Sequence, residues 1–337
     1  MVHFFKAVTF GAVHFVILPF AFLVTQLWSF GAIYYCSFPS HPDFRPVAAW
    51  AYAFLMVVLL IASRKHARFL FVALMSFCAI AIWFYWIQPP ASGGYPNHLV
   101  MPTVEFQGDQ VTIHNVRNCQ YRTRDDFDVR YETRTYSLND VKTVDVLVNY
   151  WGFDWISHTF LSFGFSDGQY LTVSAEVRPE VGELPGDLKG LFKQYELIYI
   201  WGDERDLVRV RTNYRNEDVY LFRSRLAPDA VRKLLISMLE KTQRLARHPE
   251  FYNTITQSCT NNIGDSIVKP DIFSFQFWRR KFLTGAIDRR LYKEGLLETK
   301  GRPFAKVRAV SRINDRARAA DQAADFSNQI RTHLIKN

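Results

Sequence analysis

The chain is poor in cysteine: it has four in 337 residues. None forms a Cys-x-x-Cys pair or stands in a His/Cys cluster, so neither a zinc site nor any other cofactor is expected. There is no Gly-rich phosphate loop, no Gly-x-Ser-x-Gly turn of the serine hydrolases and no internal repeat. Acidic residues are scarce in one region. The first 90 residues hold one Asp or Glu against five Lys or Arg, and the remainder holds 31 against 36. So mild an excess fits contact with anionic lipid head groups, and no nucleic-acid partner is expected.

What the first 90 residues do have is long apolar runs. Stretches at about 7–32, 47–62 and 69–87 are read as three membrane spans, the second of them short for a hydrocarbon core that needs about 20 helical residues. A cleaved signal peptide is not expected for the first stretch, because two more follow and no small-x-small cleavage site is evident. The basic loop Arg64-Lys65-His66-Ala67-Arg68 belongs in the cytoplasm, and Lys6 puts the N-terminus on the same side. Everything after Pro90 then faces outward. The reading is a multi-pass protein of a bacterial inner membrane with its C-terminal domain in the periplasm.

After a linker around Ser92-Gly93-Gly94-Tyr95-Pro96, strands are expected at Val111–Asn115, Val144–Tyr150, Thr159–Phe165, Tyr170–Val177, Glu196–Ile200, Val208–Thr212 and Val219–Phe222. Asp167-Gly168 marks a hairpin turn. Helices are expected from about Ala230 to Arg247 and from Ser258-Cys259 to about Val268, where Lys269-Pro270 ends the second. The fold class is α+β, an antiparallel sheet followed by helices. Phe275-Gln276-Phe277-Trp278-Arg279-Arg280-Lys281-Phe282 interleaves aromatic and basic residues, as an interfacial helix or a core helix with a basic face would. The segment from about Arg302 onward is expected to be helical.

Three residues carry the chemical expectation. Cys259 stands where a loop enters a helix, and a helix N-terminus and a nearby imidazole both favour a thiolate nucleophile. His158 opens a strand and would be its base. Glu176 lies on the strand after the hairpin and would orient the imidazole. A turn centred on Asp167-Gly168 puts His158 opposite residue 177, with Glu176 one position away. Amides at the start of the Cys259 helix would supply part of an oxyanion hole. The bland alternatives are a packed cysteine, a packed histidine and a surface Glu176–Arg178 pair. A Cys119–Cys259 disulfide would silence the thiol altogether.

The order His-then-Cys reverses that of papain-like hydrolases. Ser157-His158-Thr159-Phe160 is followed by Ser174-x-Glu176-x-Arg178 and by Tyr195-Glu196-Leu197-Ile198-Tyr199-x-x-Gly202-Asp203-Glu204-Arg205-Asp206. Arg209-x-Arg211-Thr212, Pro249-x-Phe251-Tyr252-Asn253-Thr254 and Cys259-Thr260 complete a set that resembles the Lnb N-terminal periplasmic domain family over roughly residues 110–300. That family looks like part of the circularly permuted papain-like superfamily that includes lecithin:retinol acyltransferase-type enzymes. The resemblance implies a periplasmic Cys/His acyl-transfer domain at 110–300, between an anchor at 1–90 with a linker at 91–109 and a helical tail at 301–337. It carries Cys259, His158 and Glu176 onto the family's positions. It also implies lipoprotein N-acylation-like chemistry, with a membrane phospholipid as acyl donor and a lipoprotein or other amine as acceptor. Two features depart from the family: Ser258 stands where Asn often precedes the Cys, and the membrane spans come first. A periplasmic peptidase or amidase using the same residues is the competing reading. A non-enzymatic membrane-anchored interaction module is a third, and it requires His158 and Cys259 to be far apart or Cys259 to be oxidised.

Overall fold

The structure is a computed structural model and describes residues 18–36, 44–89, 98–154, 156–179, 186, 188–268 and 287–335. The basic-aromatic stretch at 275–282 lies outside the described residues. The chain divides into two compact units, residues 1–91 with 185–196, and residues 92–184 with 197–337.

The first unit holds helices α1 (Leu18–Tyr35), α2 (Phe44–Ser63) and α3 (Arg68–Trp86). Two of these, α2 and α3, are long and apolar enough to cross a membrane, each with a mean hydropathy of 2.1. Of the three expected spans, two are found among the described residues. The described part of the first stretch is diluted by Thr25, Gln26 and Ser29, and its earlier residues lie outside the described set. At 20 residues, α2 extends beyond the expected 47–62 and has the length a hydrocarbon core requires. The polar residues of α1 have partners: Tyr52 Oη donates to Gln26 Oε1 at 2.6 Å and lies 3.3 Å from Ser76 Oγ. Such interhelical bonds satisfy groups for which lipid offers no partner. In the 188–195 segment, Lys193 Nζ donates to the carbonyls of Phe84, Tyr85 and Ile87 at 2.8–3.3 Å, capping the last turn of α3. Phe192 stacks on Tyr35 and occupies the space a Cβ on Gly31 would need.

The second unit is built on an eight-stranded sheet. Its strands are β1 (Thr103–Gln107), β2 (Gln110–Arg117), β5 (Tyr131–Ser137), β6 (Val141–Tyr150), β7 (Ser157–Phe165), β8 (Tyr170–Arg178), β9 (Glu196–Gly202) and β10 (Asp218–Arg223). The order is β1-β2-β9-β8-β7-β6-β10, with β5 also paired to β2. A two-stranded ribbon of β3 (Gln120–Tyr121) and β4 (Phe127–Asp128) stands apart. The β1–β2, β2–β5, β6–β7, β7–β8 and β6–β10 pairs are antiparallel, while β2 and β9 meet in parallel at Arg117 and Gly202. The mixed α+β class stands. β1 forms inside the expected linker and β5 was not foreseen. β1 is largely exposed and β5 largely half-buried, and the apolar signal of both is thin.

Alternation along β6 and β7 sorts side chains onto two faces. Val144, Val148, Leu161 and Phe163 join a core covered by helix α5 (Pro228–Arg247). Helix α5 buries Val231, Leu234, Leu235, Met238, Leu239 and Leu245 at helical spacing, and Pro228 opens it. Helices α6 (Cys259–Val268) and α7 (Ile287–Lys293) add to this layer. Leu147 and Phe160 join the opposite core with Val208, Val219, Leu221, Ile313, Ala317, Phe326 and Ile330. Ala317 and Phe326 belong to the C-terminal helices α8 (Asn314–Ala320) and α9 (Phe326–Gln329), which thereby cover the second face.

One expected strand is a helical turn. Asp203 caps helix α4 (Glu204–Leu207) by accepting from the Arg205 amide at 2.9 Å, and the chain continues into a π-helical turn over Val210–Tyr214. The alternation in Val208-Arg209-Val210-Arg211-Thr212 reads as a half-exposed strand, but here the two arginines are themselves buried and have acceptors. The cap, with bonds such as Thr212 N to Val208 O at 3.0 Å, overrides the β-branched propensity.

Candidate functional site

The β7–β8 hairpin aligns two of the three expected residues. Its loop is three residues long rather than two. Phe165 and Gln169 close it through a 3.0 Å bond, and Gly168 takes a left-handed φ of +84° that a side chain rarely adopts. The register Leu161↔Val173, Ser162↔Thr172 therefore differs by one residue from the expected one. Continued down the hairpin, it sets Glu176 directly across from His158 and on the same face, with Ser174 one step further along.

The side chains converge accordingly. His158 Nε2 lies 2.7 Å from Ser174 Oγ and 3.2 Å from Glu176 Oε1. Ser174 Oγ donates to the same Glu176 oxygen at 2.6 Å, and Arg211 Nη2 donates to it at 2.5 Å. Arg211 is placed by the π-turn. It also donates to Leu207 O at 2.6 Å and lies over the Phe160 ring at 4.7 Å. Trp151 stands 6.5 Å from the imidazole and is half exposed, at 49 %.

Cys259 reaches this cluster from the helical layer on the other face. As the first residue of α6, its sulfur meets the His158 imidazole, the Thr159 amide and, at 3.9 Å, the Thr260 hydroxyl. With Nε2 committed to Ser174 and Glu176, Nδ1 is the imidazole nitrogen left for the thiol. The preceding loop is held by three asparagines. Asn253 Oδ1 accepts from the Ile255 and Thr256 amides, Asn261 Nδ2 donates to Ile255 O, and Asn262 Nδ2 donates to Gln257 O and Ser258 O. Ser258 Oγ accepts from Asn261 N at 3.4 Å, as an N-cap does. The amides of Cys259 and Thr260 fall in the first turn of α6, where an α-helix has no carbonyl of its own to offer them.

Electrostatics follow from this packing. Burial opposes charge on His158, but Glu176 and Cys259 outweigh it and raise the imidazole to about 10. Burial also opposes the Cys259 thiolate. His158, by charge and hydrogen bond, together with Thr159 N–H and Thr260, nevertheless lowers the thiol below its ordinary value. Glu176 is held well below the carboxylate range, since His158 and Arg211 overcome its desolvation. Both shifts favour thiolate and imidazolium over the neutral pair, the direction that activates a nucleophile. Burial and neighbouring guanidiniums push His98, also beside Glu176, down to about 3, so it stays neutral.

All three expected residues thus stand together. Cys119 and Cys259 are each free thiols, so the Cys119–Cys259 disulfide does not form. Among the described residues no group of three or more His, Cys, Asp or Glu is placed to hold a metal ion. Arg211 and Ser174 were visible only as motif members without a role. Nothing in the sequence pointed to His98.

The Gly202-to-Asp206 motif is structural. Asp203 pairs with Arg134 and Arg205, Asp206 takes a two-pronged bond from Arg117 at 2.9 Å, and Glu204 takes another from Arg331 at 2.6 and 2.8 Å. Together they fix the turn that carries Arg211.

Compared with known proteins, residues 127–278 match the family model of the Lnb N-terminal periplasmic domain. The match covers the β7–β8 hairpin, Arg211 and Cys259. No curated protein and no solved structure matches the chain. A periplasmic-domain match together with two apolar N-terminal helices is consistent with a membrane-anchored protein.

Proposed function

We propose that this chain is a membrane-anchored periplasmic thiol acyltransferase with Cys259 as nucleophile, His158 as proton carrier and Glu176 as the group that orients it. The observation that carries the reading is the buried Cys259–His158–Glu176 relay, with the thiol lowered and the imidazole raised. The Cys259 thiolate attacks the carbonyl carbon of a lipid ester. The ester C–O bond breaks, the departing alkoxide takes the proton of the His158 imidazolium, and a thioester remains on the enzyme. An amine then attacks the thioester carbonyl and gives a proton to neutral His158. The C–S bond breaks, the amide leaves, and thiolate and imidazolium are restored. Amides at the start of α6 face the carbonyl oxygen as it gains charge.

A phospholipid is the proposed donor and a lipoprotein or other amine the acceptor, on the strength of the family match and of the aromatic rim at the site. Trp151 and Phe153, 49 % and 60 % exposed, stand in the loop that leads to His158. A permuted papain-like fold is the corresponding architectural proposal, supported by His158 preceding Cys259 in the chain. Two spans also suffice for the orientation. With the 64–68 loop in the cytoplasm, whatever follows α3 faces outward whether or not an earlier span exists. What favours this reading over a non-enzymatic module is the contact between His158 and Cys259 and the free thiol of Cys259.

The test is intact mass of detergent-purified protein after incubation with phospholipid, wild type beside Cys259→Ala. An acyl-sized, hydroxylamine-labile adduct on wild type alone is expected. The same adduct on Cys259→Ala, or acyl transfer retained by it, would sink the mechanism.

A further inference from the structure

Next to the site, reached by the chain neighbours of His158 and Cys259 and not by those two residues themselves, lies a small apolar pocket. Thr159 and Thr260 form its border with the site, and Val146, Leu161, Ile263 and Leu291 are among its walls. Thr159 and Thr260 flank His158 and Cys259 in sequence. Their hydroxyls meet at 3.4 Å, and Thr260 also touches the sulfur. The pocket is therefore separated from the sulfur by the Thr260 side chain, which touches both. Roomier clefts exist, about 290 Å³ between α5 and α6 and about 920 Å³ among α1–α3, but His158, Cys259 and their chain neighbours line neither.

We propose that this pocket binds the first carbons of the acyl group carried by Cys259 and so selects the acyl chain. The inference rests on the acyltransfer reading above. The pocket's volume is about 40 Å³. That lies between the roughly 10–15 Å³ that admits a water and the roughly 150 Å³ of a cavity that takes benzene. It admits a few carbons, so the rest of a phospholipid-length chain would lie outside it. Its walls are aliphatic apart from hydroxyls, two of which face each other. A hydrocarbon needs no more than this, whereas a peptide flanking the scissile carbonyl would need partners for its amides.

The experiment measures acylation of Cys259 in full-length, detergent-purified protein by p-nitrophenyl esters from acetate to decanoate. The p-nitrophenolate burst and intact mass are the readouts, and iodoacetamide alkylation reports an intact thiolate. Each methylene that enters the pocket should raise the rate about fourfold, until the pocket is full. Ile263→Ala should move the optimum to longer chains, and Leu291→Phe, on a different helix, should move it to acetate, with alkylation unchanged in both. One chain-length ranking shared by all three proteins, with alkylation intact, would overturn the pocket while leaving acyl transfer standing. Brisk alkylation with no acylation by any ester would overturn acyl transfer, and the pocket with it. Flat ester rates, alongside a preference among peptidyl aldehydes that follows the two variants, would assign the pocket to a peptide side chain instead.

Discussion

Cys119 and Cys259 are both buried, yet their thiols move in opposite directions. Burial pushes Cys119 up to about 11, and the carboxylate of Asp206 adds to it. Cys259 has His158 beside it and moves down. The neighbour decides, and Glu176 decides the neighbour. In wild type the alkylation of Cys259 should set in at lower pH than that of an ordinary thiol, because His158 stays protonated up to about 10 beside it. Glu176→Gln removes the charge that holds His158 there. The onset of alkylation should then move up toward the ordinary thiol range near 8.5, and alkylation at pH 7 should fall. Stability should follow in sign. A raised His158 stabilises fully below its unfolded value near 6.5 and loses that contribution as pH climbs through about 10. A depressed Glu176 stabilises above its unfolded value near 4.3 and loses that contribution as pH falls. The stability gap between wild type and Glu176→Gln, read from urea midpoints, should be widest between about pH 4.5 and 6.5 and should shrink toward pH 10. An identical alkylation profile in the two proteins would remove Glu176 from the relay.

At the scale of elements, α4 and its π-turn contribute most to the site for their length. Asp203 caps α4, Asp206 ties it to Arg117 of β2, and Glu204 ties it to Arg331. The turn that follows delivers Arg211 to Glu176. Asp203→Ala removes the cap and the partner of Arg134. It should lower stability by about 1–2 kcal/mol and reduce Cys259 alkylation at pH 7 by less than Glu176→Gln does. Unchanged stability with alkylation lost would mean that the residue acts on the thiol directly. The misread strand at Val208–Thr212 belongs here too. Its alternation was real, but the charged positions are buried against specific acceptors, and periodicity cannot report that.

At the scale of the molecule, the C-terminal tail is part of the domain. Arg331 donates to Asp145 of β6 at 2.7 Å, to Ser162 of β7 at 3.2 Å and to both oxygens of Glu204, and its guanidinium lies 3.5 Å from the centre of the Tyr170 ring. Arg223 joins the cluster through Asp145. Removing one member of a buried ion group leaves the others uncompensated. Arg331→Met should therefore cost about 3–5 kcal/mol in chemical unfolding. A cost under about 1 kcal/mol would mean that the tail is dispensable to the sheet.

The sequence by itself determined what local pattern and residue chemistry can determine. It set the apolar N-terminal stretches, the α+β order, helix α5, the start of α6 at Cys259, and the identities of Cys259, His158 and Glu176. Only the tertiary structure decided the rest, because those outcomes depend on groups distant in the chain. A three-residue turn, not the two-residue one the Asp-Gly signal suggested, put Glu176 opposite His158. A capped helical turn brought Arg211 onto Glu176 from 35 residues away. A tail with weak periodicity buried an arginine among three strands and a helix, since a lone charge in sequence says nothing of the carboxylates that fold around it.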